Sequence, residues 1–266
     1  MSGIKPKLNI KSMLLYAVGL PIVFVLLLKA LGILLKAVDC PELIYDMIGA
    51  VFKLLLALGF FLLFRKTIQN GEKDHISVPW FLFCFLYLGI PFFGNAVMAI
   101  LGVKELKSGS IEIAVAVLSG IAAGIVEEII FRGVVYNRLN GLFKGKRTAC
   151  VLAAILSSGV FALCHFANLT SYSFIAVLTQ AIYAFAAGMC FCGIYLFSGK
   201  LIVTILLHSI VDICANLPVT QKLTQVNSFD PLSLILSSIL LVEGVVLILI
   251  HQRKINKRGE QSDEIK

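Results

Sequence analysis

Charge is what this sequence has least of. Asp, Glu, Lys and Arg make up 14% of the 266 residues, against 59% hydrophobic residues and a mean hydropathy of +0.96. An ordinary soluble domain is about a quarter charged and about half apolar. The composition therefore excludes that class and points to an all-α, polytopic membrane protein. Long polar stretches are missing too. No gap between apolar runs exceeds about 15 residues, which leaves no room for a soluble domain beside the membrane part. A cleavable leader is not expected. The first apolar run is too long for a signal-peptide core, contains Pro21 and Lys29, and precedes no small-residue cleavage site, so it reads as retained.

Other absences narrow the reading further. The seven cysteines are odd in number and lie mostly in apolar runs, which argues against a disulfide framework. Cys190-Phe-Cys192 is too tight and too apolar for a metal knuckle, so the cysteines are expected to pack as small apolar residues. There is no internal repeat, and many secondary transporters are built from related halves.

What is present is a series of eight apolar runs: roughly 13–35, 43–64, 79–103, 113–137, 149–166, 172–197, 201–217 and 232–251. Most reach the ~20 residues that span a bilayer core. The expected architecture is a single membrane domain over 1–266 with about eight transmembrane helices. The net charge of +8 follows from topology. With both termini cytoplasmic, sixteen Lys and Arg fall inside and four (Lys36, Lys104, Lys107, Lys222) fall outside, a strong positive-inside bias. The bilayer, and not nucleic acid, is the expected partner of this charge. The basic tail HQRKINKR also suits an anionic lipid surface.

Polar residues deep in the membrane concentrate in the fourth, fifth and seventh runs. In the fourth, GIVEEIIFRG carries Glu127, Glu128 and Arg132. Glu128 and Arg132 are i and i+4 and share a helix face, so they can pair. Glu127 is turned about 100° away and points to another helix or a cavity. An intramembrane carboxylate left without its own partner is a functional candidate. Upstream, Gly120 and Gly124 form a small-xxx-small face that admits another helix closely. The fifth run contributes Phe161 and His165 in FALCH; the seventh contributes His208 and Asp212 in HSIVD. Lys29, Asp46 and Lys53, in the first two runs, lie near helix ends, where long side chains reach the interface.

Glu, two His and Asp facing a dry cavity suit hydrolysis by activated water. A carboxylate takes the proton, and histidine orients the water or donates to an oxyanion. No Ser or Cys sits in an evident Ser/Cys–His–acid arrangement. The same carboxylates would also serve a proton-coupled transporter as a relay.

In order and type, Glu-Glu-x-x-x-Arg, Phe-x-x-x-His and His-x-x-x-Asp over about 112–217 resemble the CAAX prenyl endopeptidase and bacteriocin-processing (abortive-infection) family of intramembrane proteases. That resemblance implies a catalytic core at 112–217 and an endopeptidase acting on hydrophobic or lipid-modified peptides. Glu127 would be the general base, and Glu128 with Arg132 would hold the site. His165 would position the water, and His208 with residue 212 would bind the oxyanion. Many relatives carry Asn where this chain has Asp212, and an ionised Asp is an acceptor only. Asp212 must then be protonated, orient His208 or ligate a metal. His165, His208, Asp212 and a glutamate are zinc-compatible, yet His-Glu-x-x-His is absent. One zinc ion and no cofactor therefore both stay open, with the metal-free route favoured. A non-catalytic immunity or regulatory protein of the same fold is the alternative. Geometry sets one condition. His165 lies about 17 residues from its cytoplasmic helix end and His208 about 8 from Lys200, a depth difference of ~13 Å. The two meet only if the fourth and fifth helices project, or if the turn at 199–200 is recessed.

Overall fold

A computed structural model describes residues 11, 15–69, 109–144, 146–217 and 231–264. It is helical throughout, with no strand among the described residues. In chain order the helices are α1 (Leu15–Ala37), α2 (Glu42–Gln69), α3 (Ser110–Leu142), α4 (Ala149–Cys164), α5 (Phe174–Ser198), α6 (Leu201–Asn216) and α7 (Pro231–Glu264). A 3-10 stretch, His165–Thr170, continues α4.

Six of these are long and apolar enough to cross a membrane: α1 to α3, α4 with its 3-10 extension, α5, and Ser233–Lys257 of α7. The expected run at 79–103 lies outside the described residues. The expected seventh span forms α6, whose 16 residues fall short of the ~20 that a full crossing needs.

Local chemistry sets the helix ends. At the start of α3 the Glu112 carboxylate reaches back to accept from the Gly109 amide at 3.1 Å, as in half of a capping box. Ser173 caps α5, its hydroxyl accepting from the Ala176 amide at 3.3 Å. Gly199 ends α5 in the left-handed region (φ 62°), where its amide donates to the Tyr195 carbonyl. That turn lets α6 fold straight back.

Two features of α3 govern the site. Its first part packs on α6 with no space to spare. A Cβ on Gly120 would press on the Ile213 backbone, and one on Gly124 would lie 2.6 Å from the Ser209 nitrogen. The small-residue face read from the sequence is thus the contact that brings α6 in. Immediately after Glu128 the helix widens into a π-helix, Ile129–Tyr136, all eight residues of which are buried. Such wide turns are rare and cluster at functional sites. Side chains serve two of its carbonyls: Ser157 donates to Phe131 O at 2.8 Å and Asn137 to Gly133 O at 3.0 Å.

The depth condition is met by a recessed turn. Leu201 Cδ2 lies 3.4 Å from where a Cβ on Gly133 would stand, so the 199–200 turn is level with Gly133. From there α3 runs nine residues further, to Leu142, which is ~14 Å at 1.5 Å per residue. The α3–α4 hairpin therefore overshoots the α5–α6 turn by about the required distance.

Candidate active site

The site is built where α3, α4, α5 and α6 meet. Arg132, in the wide part of α3, is fully buried. Its Nη1 donates to Glu128 Oε1 at 2.6 Å and its Nη2 donates to the Gly188 carbonyl of α5 at 3.1 Å. The guanidinium also lies over two rings, 5.0 Å from the centroid of Phe161 and 5.3 Å from that of Phe191. Opposite charge, a backbone acceptor and two π faces together offset the cost of removing this cation from water.

Glu128 has a second partner that its helical spacing did not reveal. His208 Nδ1 lies 2.7 Å from the same Oε1. A carboxylate only accepts, so Nδ1 carries the hydrogen and Nε2 is turned the other way. Phe191 stacks on the imidazole at 4.8 Å and Phe161 meets it edge-on at 5.7 Å. Three contacts thus fix the ring.

Nε2 faces the two remaining acids. It lies 3.5 Å from Glu127 Oε2 and 3.6 Å from Asp212 Oδ2. One ligand atom from each of Glu127, His208 and Asp212 falls within 4.8 Å of the others, a separation that one water molecule bridges. The Glu127 and Asp212 side chains keep 20% and 22% exposure, whereas Glu128 and Arg132 have none. Glu127 and Asp212 therefore face a space that solvent reaches, and the Glu128–Arg132 pair lies behind them in the protein.

His165 approaches without joining the trio. Its Nδ1 lies 2.9 Å from the Phe161 carbonyl, and its ring meets the Phe161 ring edge-on at 4.9 Å. Phe161 therefore meets both histidines edge-on.

A match to known proteins bears on the same stretch. Residues 109–214 match the family model described as type II CAAX prenyl endopeptidase Rce1-like. That segment is similar to the CAAX protease family. No curated protein and no solved structure matches the chain. The matched segment begins at Gly109, just before α3, and runs to Cys214 in α6, so all six residues singled out from the sequence lie inside it.

One residue outside the matched segment has a partner that the sequence did not reveal. Lys29 of α1 does not merely reach outward, since its Nζ donates to Thr170 Oγ1 at 2.8 Å and so ties α1 to the stretch that follows His165. That partner lies 141 residues away, and nothing beside Lys29 in the sequence announces it.

Proposed function

We propose that this chain is an intramembrane endopeptidase that hydrolyses peptide bonds of hydrophobic or lipid-modified substrates with water activated by Glu127. The observation that carries the reading is the trio itself: two carboxylates and one imidazole nitrogen on a gap of water size, backed by a sealed ion pair.

In this reading Glu127 takes a proton from a water held between itself and Asp212 as the water oxygen attacks the substrate carbonyl. His208 keeps its Nδ1–H and donates it as a hydrogen bond to Glu128 Oε1. Doubly protonated, it offers Nε2–H to the oxyanion of the tetrahedral intermediate. The C–N bond breaks as Glu127 passes the proton to the leaving amine. Glu128 and Arg132 are positioning residues that hold His208, and His165 helps orient the water. Asp212 fixes the direction of His208 and the water.

The trio also fits a zinc ion. Glu127, His208 and Asp212 offer one nitrogen and two oxygens and leave a fourth position open. Glu128 on the far ring nitrogen is the outer partner that zinc-binding histidines usually have. A bound zinc would supply a Lewis acid and a more acidic water.

An apolar groove of about 670 Å³, with none of the trio in its lining, lies between α4, α5 and α7 and is suited to a hydrophobic chain. Gly159, Ala162 and Leu163 of α4, Phe185 of α5 and Leu241 of α7 help to line it. The grouping of Lys144, Lys146, Arg147, Arg253 and Lys254 at one end of the bundle supports cytoplasmic termini.

The test is cleavage of a quenched fluorescent peptide library, with and without farnesyl groups, by purified protein in H₂¹⁸O. The reading expects cleaved products carrying ¹⁸O in the new carboxyl group. A chelator arm separates the two chemistries. No product from any member, in a preparation that remains folded, contradicts the reading.

A further inference from the structure

The wide turn in α3 is the first link in a chain of contacts that ends at the trio. Ile129–Tyr136 is a buried π-helix, and buried carbonyls in such an altered ladder take donors from outside it. Two side chains supply one donor each, and the carbonyls they serve lie on either side of Arg132. Ser157 of α4, which has no exposed surface, donates to Phe131 O at 2.8 Å. Asn137 donates to Gly133 O at 3.0 Å, and its amide also donates to the Tyr195 hydroxyl of α5 at 3.0 Å.

This bracket decides where Arg132 points. A π turn holds more residues than the 3.6 of an α turn, so each side chain after Glu128 is turned back around the axis. In this register Arg132 Nη1 reaches Glu128 Oε1 at 2.6 Å while Nη2 reaches the Gly188 carbonyl at 3.1 Å. Glu128 Oε1 also accepts from His208 Nδ1 at 2.7 Å, which aims Nε2 at Glu127 and Asp212. Ser157, Phe161 and His165 recur at i, i+4 and i+8, so they share one face of α4. That face carries the donor to the wide turn, the ring beside Arg132 and His208, and His165 itself. An alanine at 157 would fill nearly the same space, and an ordinary α-helix over 129–136 would serve its own carbonyls. A buried hydroxyl at this point is therefore tied to the turn.

We propose that Ser157, with Asn137 as its counterpart, is a positioning residue of the hydrolysis: the two hold the carbonyls on both sides of Arg132, and through Arg132 and Glu128 they aim His208. The kinetic side of this inference rests on the peptidase reading given above. The structural side does not, since the Glu128–His208 bond can be observed whether or not a peptide is cleaved.

Two readouts on the purified full chain test it. In the peptide assay Ser157→Ala lowers kcat by at least about tenfold and leaves KM unchanged, as removal of a group that orients a site residue does. Its melting temperature stays above that of the assay. The second readout is proton–nitrogen NMR of protein labelled with ¹⁵N-histidine, of which the chain has four. His208→Gln identifies the Nδ1–H signal of His208, which its carboxylate partner shifts far downfield. Ser157→Ala moves that signal upfield or broadens it as the bond to Glu128 loosens. Asn137→Leu, at a half-buried position, repeats both results and carries the test alone if Ser157→Ala does not fold. If wild type cleaves no peptide, the peptidase reading fails and the NMR readout still decides the positioning. A His208 signal that is absent in wild type, or unmoved in both variants, overturns the proposal. So does a wild-type kcat in both folded variants, or a loss of kcat that only follows a fall in melting temperature.

Discussion

Gly124→Ala should uncouple the two halves of the site. The alanine Cβ would stand 2.5 Å from Ser209 Oγ, 2.6 Å from Ser209 N and 2.9 Å from Ser209 Cα. The hydroxyl can rotate away, but the backbone nitrogen and Cα cannot. Ordinary contact begins near 3.4 Å, so α6 must retreat from α3 by about 1 Å. Ser209 follows His208 directly, so that movement opens the 3.5 Å separation between His208 and Glu127. A misplacement of about 1 Å at reacting groups costs about a hundredfold in rate, while overpacking costs about 1–3 kcal/mol in stability. Peptide cleavage and thermal unfolding in detergent should therefore diverge: activity falls by about two orders of magnitude while the protein stays folded at the assay temperature. Gly59→Ala is the control, since nothing lies within 4 Å of its added carbon and alanine favours a helix interior. Wild-type activity in Gly124→Ala would refute the claim that α3–α6 contact sets the site.

Three further outcomes follow from the same geometry. Arg132→Met leaves Glu128 buried without its cation, and thermal or chemical unfolding should show a loss of about 3–5 kcal/mol; a loss under 1 kcal/mol would mean the pair does not hold the fold. Asp212→Asn keeps the shape and supplies an amide donor, so the metal-free reading expects activity within about tenfold of wild type, whereas complete loss in the peptide assay favours a metal-ligand role. Lys53→Met removes a half-buried cation of α2, the helix that packs on α3. It should cut kcat/KM without lowering the melting temperature, whereas Lys53→Arg should restore most of it. A melting temperature that falls in step with activity would assign Lys53 to folding.

The sequence was most legible where chemistry is local. The i, i+4 spacing of Glu128 and Arg132 foretold their bond, and the Gly120–Gly124 face foretold the close approach of a helix, though not which helix. The paired motifs named the residues of the trio, because each is an expensive group in an apolar run. Legibility failed where a partner came from elsewhere in the chain. The Glu128–His208 bond spans 80 residues, and nothing beside either residue announces it. The π-helix after Glu128 left no mark, since IIFRGVVY is as suited to an ordinary helix, and the wide turn depends on Ser157, Asn137 and the packing around them. The depth of the 199–200 turn, posed as a condition, was decided by Leu201 meeting Gly133. The Lys29–Thr170 bond, across 141 residues, was hidden for the same reason.

The most direct test of the account is a comparison of wild type with Glu127→Gln in the peptide assay, both purified and shown to unfold at similar temperatures. Glutamine keeps the size and polarity of the side chain but cannot accept the proton from water. The account predicts robust cleavage by wild type and a loss of at least about a hundredfold in the variant. Equal cleavage by the two proteins would contradict it, and Glu127 would not be the base.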